Sequence, residues 1–393
     1  MTLEQSFFLN ILSDHINKRK TTFSSECIDW NRILYYAQIH QLEGIVFFQC
    51  KSFLPSEIKI YLEDKYGSSL SIYANQKYYL KRIQSILSKN NIEFFIVKGF
   101  PVSSFYPFPP LRTMGDTDLV VHSKDRKQVH NLLLELSYVN ESHNEDSVWV
   151  YHNGKYELEL HDRLIYSKSI TRIKHEELFM DFWNYVHNNS LNWNYHLVFL
   201  LLHLRNHLIN YGVGFRQFLD IAVVTKNNSD LDWIWIEDRL VNLDLIEFSR
   251  IVFALNETWF DVKSPIKGII DSSFFDIATN QVFSNGVFGF ENDDNKGNMS
   301  VNVAHKCKHA KLSMLVTAIR KVFPNYNEMV SVSKYSFIEG KKWLLPIAWI
   351  YRIINGAKKS VFSRNVNIVK NSFITNKSIR KREDYLKHWR LYE

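Results

Sequence analysis

The sequence predicts an α+β fold, in which a small mixed sheet lies between an N-terminal helical region and a larger C-terminal helical region. Three observations lead to this prediction. Apolar residues follow helical spacing over residues 1–85, strand-like runs and a hairpin signal follow over 92–165, and helical patterns return after residue 166. The predicted domains are a helical region (1–85), a sheet core (86–165), a helical domain (166–355) and a basic tail (356–393).

The N-terminal region shows the periodicity of amphipathic helices. In "DWNRILYYAQIH", the apolar residues Trp30, Ile33, Leu34 and Ala37 recur on one helical face. Asp29 stands just before them and has the side chain of a helix N-cap. Aromatic residues make up 15% of the chain and are spread along its length, which is typical of filled helical cores rather than of a nucleic-acid stacking surface.

The central region reads as strands alternating with helices. The runs "IEFFIV" and "DTDLVV" predict two strands, and "SKDRKQVHNLLLELS" predicts a helix with Ser123 or Asp125 near its cap. The stretch "SVWVYHNGKYELELHD" predicts a β-hairpin, with Asn153 and Gly154 in a type I′ turn. The order of these elements favours a small mixed sheet.

Charge and cysteine content limit the partners and the compartment. Residues 356–393 hold ten basic and three acidic residues, so this tail carries the whole net charge of +7. A balanced remainder argues against a broad nucleic-acid footprint. Three cysteines without paired spacing fit a reducing compartment, and we expect a cytoplasmic protein without a signal peptide.

The C-terminal part contains an apolar segment with basic flanks, residues 341–359. Its longest apolar run is too short to span a bilayer and contains Pro346. Two interpretations stay open: a core helix of the C-terminal domain, or a helix that makes weak contact with the inner membrane surface together with the basic tail.

Two acids in "GDTDLVV" are the strongest chemical signal. Side chains alternate along a strand, so Asp116 and Asp118 project from one face. Neighbouring carboxylates repel unless a cation lies between them, and Mg²⁺ prefers such oxygen ligands together with phosphate oxygens. The alternative is a pair of solvated acids at the start of a strand.

Two further features could complete such a site. Lys98 and Gly99 follow the first strand, where a glycine allows close approach of a ligand and a lysine adds positive charge. On the hairpin, Glu157, Glu159 and His161 share one face, which could lie beside the acid pair or simply face water.

Together these residues resemble a known pattern. Lys98-Gly99, Tyr106-Pro107, then Arg112, Gly115-Asp116, Asp118-Leu119 and Glu159-Leu160-His161 are similar to the signature of the "uncharacterised nucleotidyltransferase" family, which has the DNA polymerase beta-like nucleotidyltransferase fold. The resemblance covers roughly residues 25–355. One departure is that Gly-Phe follows the first strand where strict nucleotidyltransferases have Gly-Ser; Ser103 and Ser104 follow it.

The resemblance implies roles for these residues. Asp116, Asp118 and Glu159 would be catalytic metal ligands for two Mg²⁺ ions, with Glu159 alternatively acting as a base. The residues implied on the nucleotide side are Lys98, Gly99, Arg112, His161, Arg216 and Asp220. ATP or another nucleoside triphosphate would be the donor.

Several of these residues also have structural interpretations. Arg112 could pair with Asp116 or Asp118, and Arg216 could form a helix ion pair with Asp220 at i, i+4. His203 and His207 have a spacing that can bind a transition metal, but no third ligand is obvious.

The sequence therefore predicts a Mg²⁺-dependent, pyrophosphate-releasing nucleotidyltransferase. It would move a nucleoside monophosphate to a hydroxyl or phosphate on a glycan intermediate, a small molecule or a protein. One alternative is an inactive nucleotide-binding scaffold or regulator. The other is an enzyme that nucleotidylylates proteins, as in toxin–antitoxin systems.

Overall fold

The computed structural model describes most of the first 286 residues and a smaller part of the rest. The described residues are 1–22, 28–142, 148–154, 156–165, 179–210, 212–268, 270–286, 326, 329, 337–338, 340–357, 384 and 386–391. The chain forms two compact units, Met1–Gly289 and Phe290–Glu393. Most of the predicted basic tail, from residue 358 to 383, lies outside the described residues.

Helices come first in the chain. They are α1 (Leu3–Ile16), α2 (Trp30–His40), α3 (Glu43–Cys50) and α4 (Ser56–Lys89). Asp29 caps α2 as predicted, because its side chain accepts hydrogen bonds from the N–H groups of Asn31 and Arg32. The long helix α4 then leads into the sheet.

The sheet region alternates strands and helices. Its elements are β1 (Phe94–Val97), α5 (Gly99–Ser103), β2 (Thr117–Val121), α6 (Arg126–Glu135), β3 (Val139–Asn140), β4 (Trp149–Asn153) and β5 (Tyr156–His161). The strand order is β1-β2-β5-β4-β3, in which β2 and β5 are parallel and the other pairs are antiparallel. The predicted α+β fold with a small mixed sheet is confirmed.

The predicted hairpin forms, but its turn is one residue later than expected. Asn153 is the last residue of β4 and pairs with Tyr156, so Gly154 lies in the loop and Asn153 does not. Gly154 has the positive φ of 63° that such a loop requires. Asn153 stays in the strand, where its side chain donates a hydrogen bond to the carbonyl of Leu136.

One face of the sheet is apolar and packs on helices. Leu119 and Val121 of β2, with Leu158 and Leu160 of β5, lie in a core with buried residues of α4 and α6. The acids of β2 and β5 alternate with these residues and therefore project from the opposite face. This alternation separates the core from the candidate site.

Over its described residues, the first unit continues with two short strands and five α-helices. They are β6 (Val186–His187), β7 (Ser190–Leu191), α7 (Trp193–Asn210), α8 (Phe215–Asn227), α9 (Trp233–Asn242), α10 (Ile246–Phe260) and α11 (Ser272–Asn285). Aromatic side chains of the early and late helices pack on one another. The ring centroid of Phe283 in α11 lies 4.7 Å from that of Tyr36 in α2 and 4.7 Å from that of Phe215 in α8. The predicted use of aromatics in helical cores agrees with this packing.

In the second unit the described residues include α12 (Leu345–Ala357). Met329, Ile338 and Ala348 form its small buried cluster. Within the described part of the chain, no helix combines the length and the hydropathy needed to cross a bilayer.

Candidate active site

The acids predicted to converge lie on adjacent parallel strands. Asp118 of β2 is paired with Glu159 of β5, and on the other side Asp118 is paired with Val97 at the end of β1. Since parallel strands in register present matched residues on the same face, the carboxylates of Asp118 and Glu159 point to the same space. Asp118 is almost completely buried, with 2% of its surface exposed, and Glu159 is partly buried.

Two overlapping groups of side chains could hold a cation. Asp118, Glu159 and His161 form one group, and Asp116, Glu157 and Glu159 form the other. In each group one ligand atom per residue lies within 4.8 Å of the others, and Glu159 belongs to both groups. Carboxylate oxygens dominate both sets, so their chemistry fits a hard cation such as Mg²⁺.

Lys98 supplies positive charge beside this acid cluster. Its ammonium lies 2.6 Å from Oδ1 of Asp118. Burial alone would raise the pKa of Asp118, but the nearby Lys98 and His161 outweigh it and lower this pKa to about 2. Lys98 thus supplies one positive charge beside Asp118 from within the protein.

His161 connects the two strands. Its Nε2 lies 3.3 Å from Oδ1 of Asp118 and 3.1 Å from Oε2 of Glu159. Burial opposes the charged imidazolium, but these two carboxylates raise the pKa of His161 above its ordinary value. The same ring nitrogen of His161 therefore links Asp118 and Glu159.

Asp116 has the opposite electrostatic environment from Asp118. Part of the surface of Asp116 is exposed, but neighbouring groups desolvate its carboxylate and Asp118 repels it. Both effects raise the pKa of Asp116. The charge of Lys98 only partly offsets them. Asp116 is thus a carboxylate that gains from an added cation.

The turn after β1 has an unusual backbone. Lys98 has φ 57° and ψ −125°, a conformation that residues with a side chain rarely adopt. Gly99 follows it, where a Cβ atom would lie 3.3 Å from Nη1 of Arg112. Glycine at this position therefore permits close contact between the turn and Arg112.

Arg112 is part of a buried network with α8. Its Nη2 lies 2.7 Å from Oδ2 of Asp220, and its Nε donates to Oδ1 of Asp220 at 3.2 Å. The hydroxyl of Tyr106 donates to the same Oδ1 at 2.8 Å. The interpretation that Arg112 pairs with Asp116 or Asp118 is wrong, because the guanidinium of Arg112 forms a two-point ion pair with Asp220 instead.

The predicted ion pair between Arg216 and Asp220 within one helix is also wrong, although their i, i+4 spacing allows it. Both carboxylate oxygens of Asp220 are engaged by Arg112, and Arg216 donates instead to the side-chain oxygen of Gln41 at 3.0 Å. Burial, reinforced by the charge of Arg112, lowers the pKa of Arg216 to about 10. Arg112, and not Arg216, therefore forms the ion pair with Asp220.

His203 and His207 face the same region from α7. Their ring centroids are 4.4 Å apart, and burial lowers the pKa of His203 well below its ordinary value and that of His207 to about 4. Lys98 and Arg216 lower both values further. Among the described residues, these histidines belong to no group of three metal ligands.

The Gly-Phe departure has a structural explanation. Phe100 packs against the apolar core and stacks on Tyr73 of α4, with 5.5 Å between the ring centroids. The hydroxyls of Ser103 and Ser104 donate to backbone carbonyls within the same short helix, those of Phe100 and Pro101. Both serine hydroxyls therefore already bond to their own helix.

Sequence reasoning missed several residues of the site. Glu157 was placed on the correct face but was not named as a ligand. His196, which accepts a hydrogen bond from the N–H of Lys98, gave no signal because it lies in an apolar helical run. Gln41 contributes through a contact with Arg216, which is far away in the sequence. Tyr106 appeared only as part of the family signature, and its contact with Asp220 was not expected.

Comparison with known proteins agrees with this geometry. The model of a family described as uncharacterised nucleotidyltransferases matches residues 26–261, more than half of the chain. Curated proteins and solved structures gave no match. The matched range contains β1, β2, β5 and helices α7 and α8, which carry the site. The chain therefore belongs to the family of uncharacterised nucleotidyltransferases.

Proposed function

We propose that the protein is a Mg²⁺-dependent enzyme that transfers a nucleoside monophosphate from a nucleoside triphosphate, ATP being one candidate, to an acceptor and releases pyrophosphate. The observation that carries this proposal is the matched pair Asp118 and Glu159, with Asp116 and Glu157 beside them. Phosphoryl transfer depends mainly on positioning and electrostatic stabilisation, and this cluster can provide both.

The acidic cluster would hold the metal. Asp116, Asp118 and Glu159, with Glu157 and His161 at their sides, are the residues that would bind it. Bound Mg²⁺ would supply positive charge for the phosphate oxygens and favour ionisation of the acceptor hydroxyl. The sharing of Glu159 between the two groups favours two ions.

Other side chains have roles of their own. Glu159, the partly buried carboxylate, can accept the proton of the acceptor hydroxyl. Lys98 lies at the end of β1 beside Asp118 and can balance charge on the phosphates. Arg112, held by Asp220, packs against Gly99 in the turn that follows Lys98. The two residues would therefore act on the nucleotide by fixing the position of this turn, not by touching the nucleotide.

The helical wall of the site supports binding of an anion. Arg112 is buried and Arg216 is partly buried. Asp220 forms an ion pair with Arg112 but not with Arg216. Among the described residues, Arg216 has a neutral amide as its hydrogen-bond partner. A buried guanidinium without a matching carboxylate is stabilised when a phosphate group binds nearby.

Turnover by the full-length chain tests the proposal. The protein is incubated with α-³²P-labelled nucleoside triphosphates and Mg²⁺, and pyrophosphate release and labelled products are measured. We expect Asp116→Asn to abolish turnover, whereas Glu135→Gln, which changes an exposed carboxylate on α6, should have no effect. Equal turnover in the Asp116→Asn variant would refute the assignment.

The two alternatives give different results in the same experiment. An inactive scaffold binds a non-hydrolysable triphosphate analogue in calorimetry but releases no pyrophosphate. A protein-nucleotidylylating enzyme transfers the α-phosphate label to a protein, and the label survives denaturation. The complete acidic cluster favours an active enzyme over the scaffold.

We also propose a weak membrane contact for the second unit. Apolar side chains are exposed around α12 at helical spacing: Trp343, Ile347, Ile350 and Tyr351. Lys341 and Lys342 are exposed beside them, which suits an anionic lipid surface. Flotation with anionic vesicles should recover the protein, and a Trp343→Ser/Ile350→Ser variant should float less. Equal recovery with neutral vesicles would contradict the electrostatic part.

A further inference from the structure

The turn that carries Lys98 is held by the first turn of α7, far away in the sequence. The N–H of Lys98 donates to Nε2 of His196 at 2.9 Å. His196 is 1% exposed, and burial lowers its pKa to about 3, so its ring is neutral and Nε2 is free of a proton. A neutral acceptor therefore points at a backbone donor in a strained turn.

A second contact fixes the plane of this ring. His196 stacks on Trp193, one helical turn earlier, with 4.6 Å between the ring centroids and 9° between the planes. Trp193 in turn packs edge-on against Phe105, at 4.5 Å, in the segment that follows α5. The start of α7 thus contacts the chain both before and after the short helix α5.

The contact matters because of the conformation at Lys98. A positive φ is costly for a lysine, and such conformations persist where surrounding contacts fix them. The same residue places its ammonium 2.6 Å from Asp118. A change in the backbone at Lys98 would therefore move the only lysine ammonium that the described residues place against the acidic cluster.

We infer that His196 is a positioning residue, which fixes the turn at Lys98 by accepting its N–H and so holds the Lys98 ammonium against Asp118. Its kinetic consequence rests on the proposed nucleotidyl transfer, whereas the contact itself does not. A histidine suits this role because its flat ring both stacks on Trp193 and presents an acceptor to the backbone.

Amide hydrogen exchange tests the contact without reference to activity. In protein labelled with ¹⁵N-lysine, the Lys98 signal is the one that disappears in Lys98→Met. We expect slow exchange of this amide in the wild type, fast exchange in His196→Phe, and slow exchange again in His196→Gln. Phe keeps a ring against Trp193 but accepts no hydrogen bond, whereas Gln offers an oxygen near the position of Nε2. Fast exchange in the wild type overturns the inference without any variant.

A double-mutant cycle tests the action through Lys98. His196→Phe should lower kcat about tenfold, because small displacements of a charged group in a site reduce the rate strongly. In a Lys98→Met background the same change should alter kcat less than about twofold. His15→Phe, a matched change of a buried histidine on α1, should leave kcat unchanged in both backgrounds.

The outcomes separate the inference from the proposed function. Additive effects of His196→Phe and Lys98→Met would overturn positioning and indicate general destabilisation. Slow Lys98 exchange in His196→Phe would overturn the contact. If the wild type shows no turnover, the proposed function fails, and the exchange of the Lys98 amide in the wild type and both His196 variants still decides the inference.

Discussion

Asp118 and Glu159 are paired directly across the parallel strands β2 and β5, and their side chains leave the same face of the sheet. This relationship converts two distant sequence motifs into one acidic cluster. Lys98 partly neutralises that cluster, His161 links its two strands, and Asp116 and Glu157 enlarge it.

The shared position of Glu159 predicts unequal effects of two similar substitutions. Glu159 belongs to both groups of possible ligands, whereas Glu157 belongs to one. Mg²⁺ or Mn²⁺ should raise the Tm of the wild type, since a ligand that binds only the folded state stabilises it. Glu159→Gln should remove this rise and Glu157→Gln should reduce it. Thermal melts over a metal titration measure the difference, and equal shifts in all three proteins would contradict the cluster.

The buried pair between Arg112 and Asp220 should be essential for stability. Removing either partner leaves a charge buried, which typically costs about 3–5 kcal/mol. Arg112→Met and Asp220→Asn should therefore each lower the free energy of unfolding by that order. The double variant should lose less than the sum of the two, and urea denaturation of all four proteins measures this. Strict additivity would show that the pair does not act as a unit.

Arg216 should behave in the opposite way. Its guanidinium is partly buried, burial lowers its pKa, and it forms no ion pair with a carboxylate among the described residues, so Arg216→Gln should leave the Tm unchanged or raise it. The same change should weaken binding of a triphosphate analogue about tenfold or more, because a charge-assisted contact with phosphate is lost. Calorimetry measures the affinity, with Arg250→Gln on the surface as the matched control. A loss of stability with normal affinity would make Arg216 a structural residue.

His15 predicts a pH dependence of stability that is independent of the site. This side chain is 2% exposed, and burial lowers its pKa to about 4, below the value of about 6.5 in an unfolded chain. Stability from the neutral ring is full above pH 6.5 and falls as the pH drops toward 4, because only the unfolded state binds the proton. Between pH 7.5 and 5 the loss from this group is about 2 kcal/mol.

A His15→Leu variant checks the assignment. It should unfold with a weaker pH dependence than the wild type over this range, by nearly one bound proton per molecule. Denaturation at pH 7.5, 6 and 5 gives the slopes. Identical slopes would mean that His15 titrates alike in both states.

The sequence was sufficient for the fold class and for the faces on which the acids of the candidate site lie. Period-two alternation in "DTDLVV" and "YELELHD" determines which side chains share a face, so Asp116 could be grouped with Asp118, and Glu159 with His161, without coordinates. The relative position of the two strands could not be obtained in this way. The parallel pairing of β2 with β5 depends on tertiary packing, which local periodicity does not encode.

The partners of the arginines were beyond local reasoning for a similar reason. The i, i+4 spacing of Arg216 and Asp220 favours a helix pair worth only a few tenths of a kcal/mol. The buried two-point contact from Arg112 to Asp220, joined by a hydrogen bond from Tyr106, is stronger, so Asp220 pairs with Arg112 instead of Arg216. The offset of the hairpin turn has the same origin, because the strand register places Asn153 opposite Tyr156.

The contacts of His196 in α7 with Lys98 and of Asp220 in α8 with Arg112 also have a consequence for biosynthesis. The sheet alone, which ends with β5 at His161, lacks both of these contacts. A growing chain on the ribosome can form both contacts only after Asp220 has emerged from the exit tunnel. Fragments that stop before α8 are thus expected to accumulate as incompletely folded species, because the contacts that hold the turn at Lys98 and the Arg112 side chain form only when these helices have been made.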